Sequence, residues 1–306
     1  MQKNILEVRG LVEDNKKDNS GVSFTLNSGQ ALALYGPNIQ TKSNLLKKMI
    51  GLYPFERGEV FIDGLSVKKN LYEIKKLTAY VPQKGALDLE LTCFENIYIY
   101  ARANGVNSKR AKTLSYDALR KVHLEDYADK FPRDLKIEQK NLLSIIKATV
   151  HSPKVIFIEE PFLNMESKNF QKVKNLLNFI KSLNISVVIT TRRFSEIQDM
   201  LDKVIFFSES EIICEGEPKS LIKRYIGHQI IQYQVTPEEI TYFVSKIKNQ
   251  LNYKVIDNKI CVYLSEHQDP QEIFKIISSE HMVLRKPHLE DVYTHVYNSV
   301  TGESAL

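Results

Sequence analysis

The chain has 306 residues, 43% hydrophobic and 26% charged, the balance of a globular protein long enough for one large domain and a smaller one. Its formal charge of +5 is spread along the chain, too mild to argue for nucleic acid, so no nucleic-acid partner is expected. No signal-like apolar stretch is present and no run approaches 18 apolar residues. Cys93, Cys214 and Cys261 lack any Cys-x-x-Cys spacing, so they read as thiols in a reducing compartment; the expectation is a cytoplasmic chain that crosses no membrane itself.

Short apolar runs alternate with amphipathic stretches, the pattern of an α/β architecture. Strands are expected at Ala31–Tyr35, Val60–Ile62, Leu77–Val81, Lys154–Ile158, Ser186–Thr190 and Lys203–Phe207. Helices are expected at 43–50, 109–122, 137–150 and 168–183. The runs VIFI and SVVIT are continuous rather than alternating, as central parallel strands covered on both faces require. One domain is therefore expected over residues 1–225 and a second over 226–306. The second reads as strand 229–235, helix 237–250, strands 253–257 and 259–264, helix 269–279, strand 281–286 and a closing helix from Leu289. That βαββαβ order is ferredoxin-like, with Asp257-Asn258 as its hairpin turn.

Chemistry concentrates in three places. The stretch YGPNIQTKSNLL, residues 35–46, follows a strand and opens a helix, as a phosphate-binding loop does. In the pattern G-x-x-x-x-G-K-[ST], Lys42 would reach the β and γ phosphates and Ser43 would hold Mg²⁺, but Thr41 stands where the second glycine belongs. In KVIFIEEP an apolar strand ends in Glu159 and Glu160, paired acids of the kind that hold Mg²⁺ and polarise an attacking water. In TAYVPQKG, Gln83 follows a strand. The seven histidines show no metal-ligand spacing.

The order LEVRGL, GPN…KS, GLYPFERGEVFIDG, YVPQ, LKIEQK, VIFIEEP, VVITTRR closely resembles the ATP-binding cassette (ABC) nucleotide-binding subunit, over residues 5 to about 225. The tail KPHLEDVYTHVY resembles the end of exporter-type ATPase subunits. The resemblance implies a P-loop cassette, with a parallel core sheet and antiparallel β and α-helical subdomains, followed by the small α+β domain. It implies ATP and Mg as cofactors, a membrane permease as partner, pairing as a homodimer or with a second cassette, and a peripheral place on the inner face of the membrane. Gly36, Asn38, Lys42, Ser43, Gln83 and Arg192 would then bind nucleotide. Ser43, Gln83 and Glu159 would meet Mg, and Glu160 would be the general base.

The chain departs from the family pattern at several of these points. The family's GPNGAGKST is GPNIQTKSN here, with Ile39 and Thr41 at glycine positions. If φ were positive there, each would carry strain of roughly 1–2 kcal/mol. The signature LSGGQ reads Leu135, Lys136, Ile137, Glu138 and Gln139, bringing bulk and a carboxylate toward a phosphate. The switch histidine is Arg192, too basic to exchange a proton near neutrality. VEDNKKDN, where an aromatic usually stacks on adenine, contains none. These losses point to a degenerate cassette with weak or absent hydrolysis, since phosphoryl transfer depends on positioning and electrostatics. The alternatives are an ordinary transporter ATPase with an unusual loop, and a soluble binding module on the same fold.

Overall fold

Along residues 4–11 the chain buries Ile5, Leu6, Val8 and Leu11, and this first strand anchors an antiparallel sheet. The computed structural model describes residues 3–12, 21–247, 251–256, 258–276 and 282–301. Strand β1 (Asn4–Leu11) pairs antiparallel with β2 (Val22–Asn27). Strand β3 (Ala31–Tyr35) then enters the core and leads through Gly36 to helix α1 (Ile39–Met49). Strands β4 (Glu59–Ile62) and β5 (Leu65–Ser66) complete the antiparallel sheet in the order β2-β1-β4-β5. Its buried face, including Leu6, Val8, Phe24 and Ile62, joins one core with Leu45, Leu46 and Met49 of α1.

Helix α2 (Leu71–Leu77) feeds β6 (Thr78–Val81). Three helices follow: α3 (Cys93–Ala103), α4 (Ser108–Lys121) and α5 (Ile137–Lys147). Helix α3 starts where it does because Thr92 and Glu95 form a capping box: Thr92 N–H donates to Glu95 Oε2 at 2.8 Å, and Glu95 N–H donates to Thr92 Oγ1 at 3.1 Å. The chain returns through β7 (Val155–Glu159), α6 (Phe170–Ser182), β8 (Ser186–Thr190), the short α7 (Phe194–Ile197), β9 (Lys203–Ser208) and β10 (Glu211–Gly216). The central sheet has the order β10-β9-β3-β8-β7-β6. The β9-β3, β3-β8, β8-β7 and β7-β6 pairs are all parallel. Every residue of β7 and β8 is buried, as their continuous apolar runs require.

Two compact units emerge, Met1–Ile212 and Ile213–Leu306. Helix α8 (Pro218–Tyr225), which the sequence pattern grouped with the first domain, packs instead on the final helix of the second unit. In that unit β11 (Gln229–Gln234), α9 (Pro237–Ile247), β12 (Asn252–Ile256), β13 (Lys259–Leu264), α10 (Pro270–Ile276) and β14 (Met282–Arg285) follow in the expected order. The antiparallel sheet runs β12-β13-β11-β14, the ferredoxin-like arrangement. Asp257 of the expected hairpin turn lies outside the described residues. Helix α11 (Leu289–Thr301) closes the chain, and Arg285 holds its start by a bidentate pair to Asp291, at 2.6 and 2.8 Å. Among the described residues no helix is long and apolar enough to cross a membrane.

Candidate functional site

The sheet order decides where the chemistry gathers. Strands β3, β8, β7 and β6 are neighbours and parallel, so their carboxyl ends lie side by side. Those ends deliver Gly36, Thr190 to Arg192, Glu159-Glu160 and Gln83 to one rim of the sheet. At Gly36 a Cβ would come within 2.9 Å of Phe207 Cβ and O, so only glycine lets β3 turn out beside β9.

The loop after Gly36 is shorter than the sequence suggests. Helix α1 begins at Ile39 instead of Ser43, and Asn38 caps it by accepting from Thr41 N–H at 3.2 Å. Ile39 and Thr41 therefore sit in the first turn of the helix, and neither has positive φ. The strain expected at these two positions does not arise. Asn38 prefers the cap, and Ile39 and Thr41 tolerate helix better than the glycines they replace, so the segment winds up.

Lys42 is fully buried, and its ammonium donates to Gly36 O and, at 3.0 Å, to Asn38 O. Burial lowers its pKa from 10.5 to about 8; Glu160 opposes that shift and Arg192 adds to it. Ser43 Oγ donates to Glu159 Oε1 at 2.5 Å. Glu159 Oε2 accepts from the backbone N–H of Gln83 at 3.3 Å, and Lys47 Nζ lies 4.0 Å from Oε1. Ser43 and Glu159 thus present adjacent hard oxygen donors of the kind Mg²⁺ takes. Gln83 reaches this pair only through an N–H, which cannot ligate a cation, and its side chain is exposed.

Glu160 has φ of +44°, the left-handed region, in a residue that carries a side chain. The carboxylate is buried. Its Oε2 accepts from Arg192 N–H at 3.2 Å, while Oε1 has no hydrogen-bond partner among the described residues. Burial raises its pKa, against the Arg192 N–H, Lys42 and Arg192 charge, with Glu159 adding to the rise. Arg192 therefore serves this site through its backbone, and its side chain is exposed.

The signature positions stand apart from this cluster. Leu135 is buried, Lys136 N–H donates to Gln139 Oε1 at 2.9 Å, and Ile137 and Glu138 open α5. Ile137 and Gln83 both line one cavity of about 430 Å³. Of the stretch lacking an aromatic, residues 13–19 lie outside the described residues.

Two neighbours of the acids were not singled out from the sequence. Lys47 is one helical turn beyond Ser43 on the same face of α1, an i,i+4 relation visible in the pattern. Tyr80 is on β6, where its hydroxyl is buried near Glu159; burial and then Glu159 push its pKa well up. Nothing in the local pattern marks Tyr80, because its neighbourhood is made by the β6–β7 pairing.

Residues 19–163 match the family described as ABC transporter. The chain is 24% identical over 275 residues to the Nod factor export ATP-binding protein I of Rhizobium sp. (strain N33), covering 90% of each chain. Its fold is similar to that of cbiO1 from Clostridium perfringens, part of the ABC transporter complex cbiONQ. The TM-score is 0.65 and the identity 19%, over 82% of this chain and 96% of that one. It is also similar to a dimeric ATP-binding cassette in a post-hydrolysis state bound to ADP and Pi. There the TM-score is 0.62 and the identity 20%, over 69% of this chain and 98% of that one.

Proposed function

We propose that the chain, whose residues 19–163 match the family described as ABC transporter, is the ATP-binding subunit of a membrane export complex in which it hydrolyses ATP weakly or not at all. It would sit on the cytoplasmic side against a permease, paired with a second copy or with another cassette, and support or regulate transport. Export is supported by the relative's printed name, and pairing by the dimeric cassette of similar fold.

The observation that carries weak hydrolysis is the start of α1 at Ile39. A phosphate cradle needs several free N–H groups converging on one anion. Here the helix commits the N–H groups from Lys42 onward to its own carbonyls, and the Asn38 side chain takes that of Thr41. The Lys42 ammonium is held by Gly36 and Asn38 carbonyls. Triphosphate must displace the Asn38 cap and draw Lys42 away from its carbonyls, and each step subtracts from binding.

A second reading, an ordinary hydrolysing subunit, is favoured by the convergence of Lys42, Ser43, Glu159 and Glu160 at one rim of the sheet. The two separate on turnover. The chain alone should show no burst and less than about 0.1 s⁻¹ with Mg·ATP, whereas a working cassette gives on the order of 1 s⁻¹ or more. Turnover at that level, abolished by Glu160→Gln, would establish the second reading.

A further inference from the structure

A second cavity lies away from the nucleotide rim, where the end of α4, the first turns of α5 and the middle of α6 meet. Its volume is about 360 Å³, within the range of small-molecule sites. Its floor is apolar and buried: Val122, Leu124, Leu142 and Leu176 are each less than 8% exposed. Its rim is basic. Lys121 and Lys172 line it with His123, against one carboxylate, Glu138.

The charges on the rim are not equivalent. Lys121 Nζ lies 3.6 Å from the Phe179 ring centroid, which fixes that ammonium over an aromatic face. Glu138 is one carboxylate against the two ammonium groups of Lys121 and Lys172. Lys172 has no ion pair or hydrogen bond among the described residues. An apolar pocket with a positive excess, and one uncommitted ammonium at its mouth, fits an apolar body carrying an anionic head.

We propose that this cavity binds a small amphipathic anion, an acyl- or alkyl-chain carboxylate or phosphate ester, with its chain on the Leu142–Leu176 floor and its head at Lys172. None of Lys42, Ser43, Glu159 and Glu160 lines this cavity, whereas Glu138 and Gln139 of the signature stretch do. Its wall includes Gln139, whose Oε1 caps the Lys136 N–H at the start of α5. A ligand there bears directly on the turn that opens α5.

The test is a titration of the full chain, methyl-labelled at leucine and valine, with hexanoate, hexyl phosphate, hexan-1-ol and hexylammonium, followed by NMR. The two anions should shift the methyls of Val122, Leu124, Leu142 and Leu176 saturably, with Kd of about 1 mM or tighter, and the alcohol and ammonium should bind at least about tenfold more weakly. The tighter of the two anions identifies the head group. Lys172→Glu, on an exposed position that leaves the floor intact, should weaken both anions at least about tenfold. Leu176→Trp should fill the cavity and abolish binding. Equal binding of alcohol and anion, no saturable shift up to about 10 mM, or unchanged affinity in Lys172→Glu would each overturn the proposal.

Discussion

The backbone N–H of Arg192 donates to Glu160 Oε2 at 3.2 Å, the one hydrogen bond that this buried carboxylate makes among the described residues. The relation assigns Arg192 a structural task that does not depend on its side chain, which is exposed. Arg192→Ala should therefore cost no more than about 0.5 kcal/mol of stability. Arg192→Pro removes the donor and should cost roughly 1.5–3 kcal/mol, the scale of a hydrogen bond to a charged group. Urea unfolding of the two variants separates these effects. Equal losses would mean that the guanidinium, and not the N–H, supports Glu160.

Glu160 itself should be a source of instability. Burial raises its pKa, so in the folded chain the charged form is disfavoured, and Oε1 has no partner among the described residues. A raised carboxylate contributes stability that is present below the unfolded pKa and lost as pH rises through the folded one. Near neutral pH, Glu160→Gln should therefore raise the melting temperature, on the order of 2–4 °C for about 1 kcal/mol in a chain of this size. The gain should shrink toward zero as pH falls to about 4.5. A melting curve that drops in the variant at pH 7.5 would show that the charge is stabilised by groups other than those named.

The rim of the central sheet was legible because it depends on strand ends. ALALY, KVIFI and SVVIT each read as strands, and parallel order places their carboxyl ends together. The start of α1 departs from the sequence expectation because the motif reads as a loop whatever fills it. Asn38 as cap, with Ile39, Gln40 and Thr41 behind it, is a helix start on local propensity alone, and local propensity prevailed. The positive φ of Glu160 had no signal, since glutamate gives no hint of the left-handed region. Tyr80 was missed because its contact with Glu159 is made across two strands far apart in sequence.

Restoring glycine at two positions should reverse the winding of α1. Ile39→Gly with Thr41→Gly removes roughly 0.5 kcal/mol of helix preference at each position and permits the loop conformations that N–H groups need around a phosphate. The double variant should bind Mg·ATP at least about tenfold more tightly by calorimetry, at a total stability cost of about 1 kcal/mol. Asn38→Ala should weaken the cap by about 1 kcal/mol and tighten ATP less than the double variant does. Unchanged affinity in the glycine variant would show that something other than the first turn of α1 limits nucleotide binding.

Two buried lysines give the stability a pH signature. Lys147, at the end of α5, donates to Ala86 O beneath the Tyr100 ring, and burial lowers its pKa to about 8 against the pull of Asp88. Lys42 is lowered to about 8 for the same first cause. Between about 8 and 10.5 the unfolded chain holds both protons more firmly than the folded chain, so the lysines make stability rise with pH through that window. Cys93, pushed up to about 11 by burial, acts with the opposite sign above about 9, as do the buried tyrosines at higher pH. The lysine effect is therefore clearest between pH 8 and 9, on the order of 1 kcal/mol for each lysine. Urea midpoints across that unit should rise in the native chain. They should rise about half as steeply in Lys147→Met, which keeps the stem's volume and removes one of the two titrating groups. A slope of the same size in both chains would place the titration elsewhere.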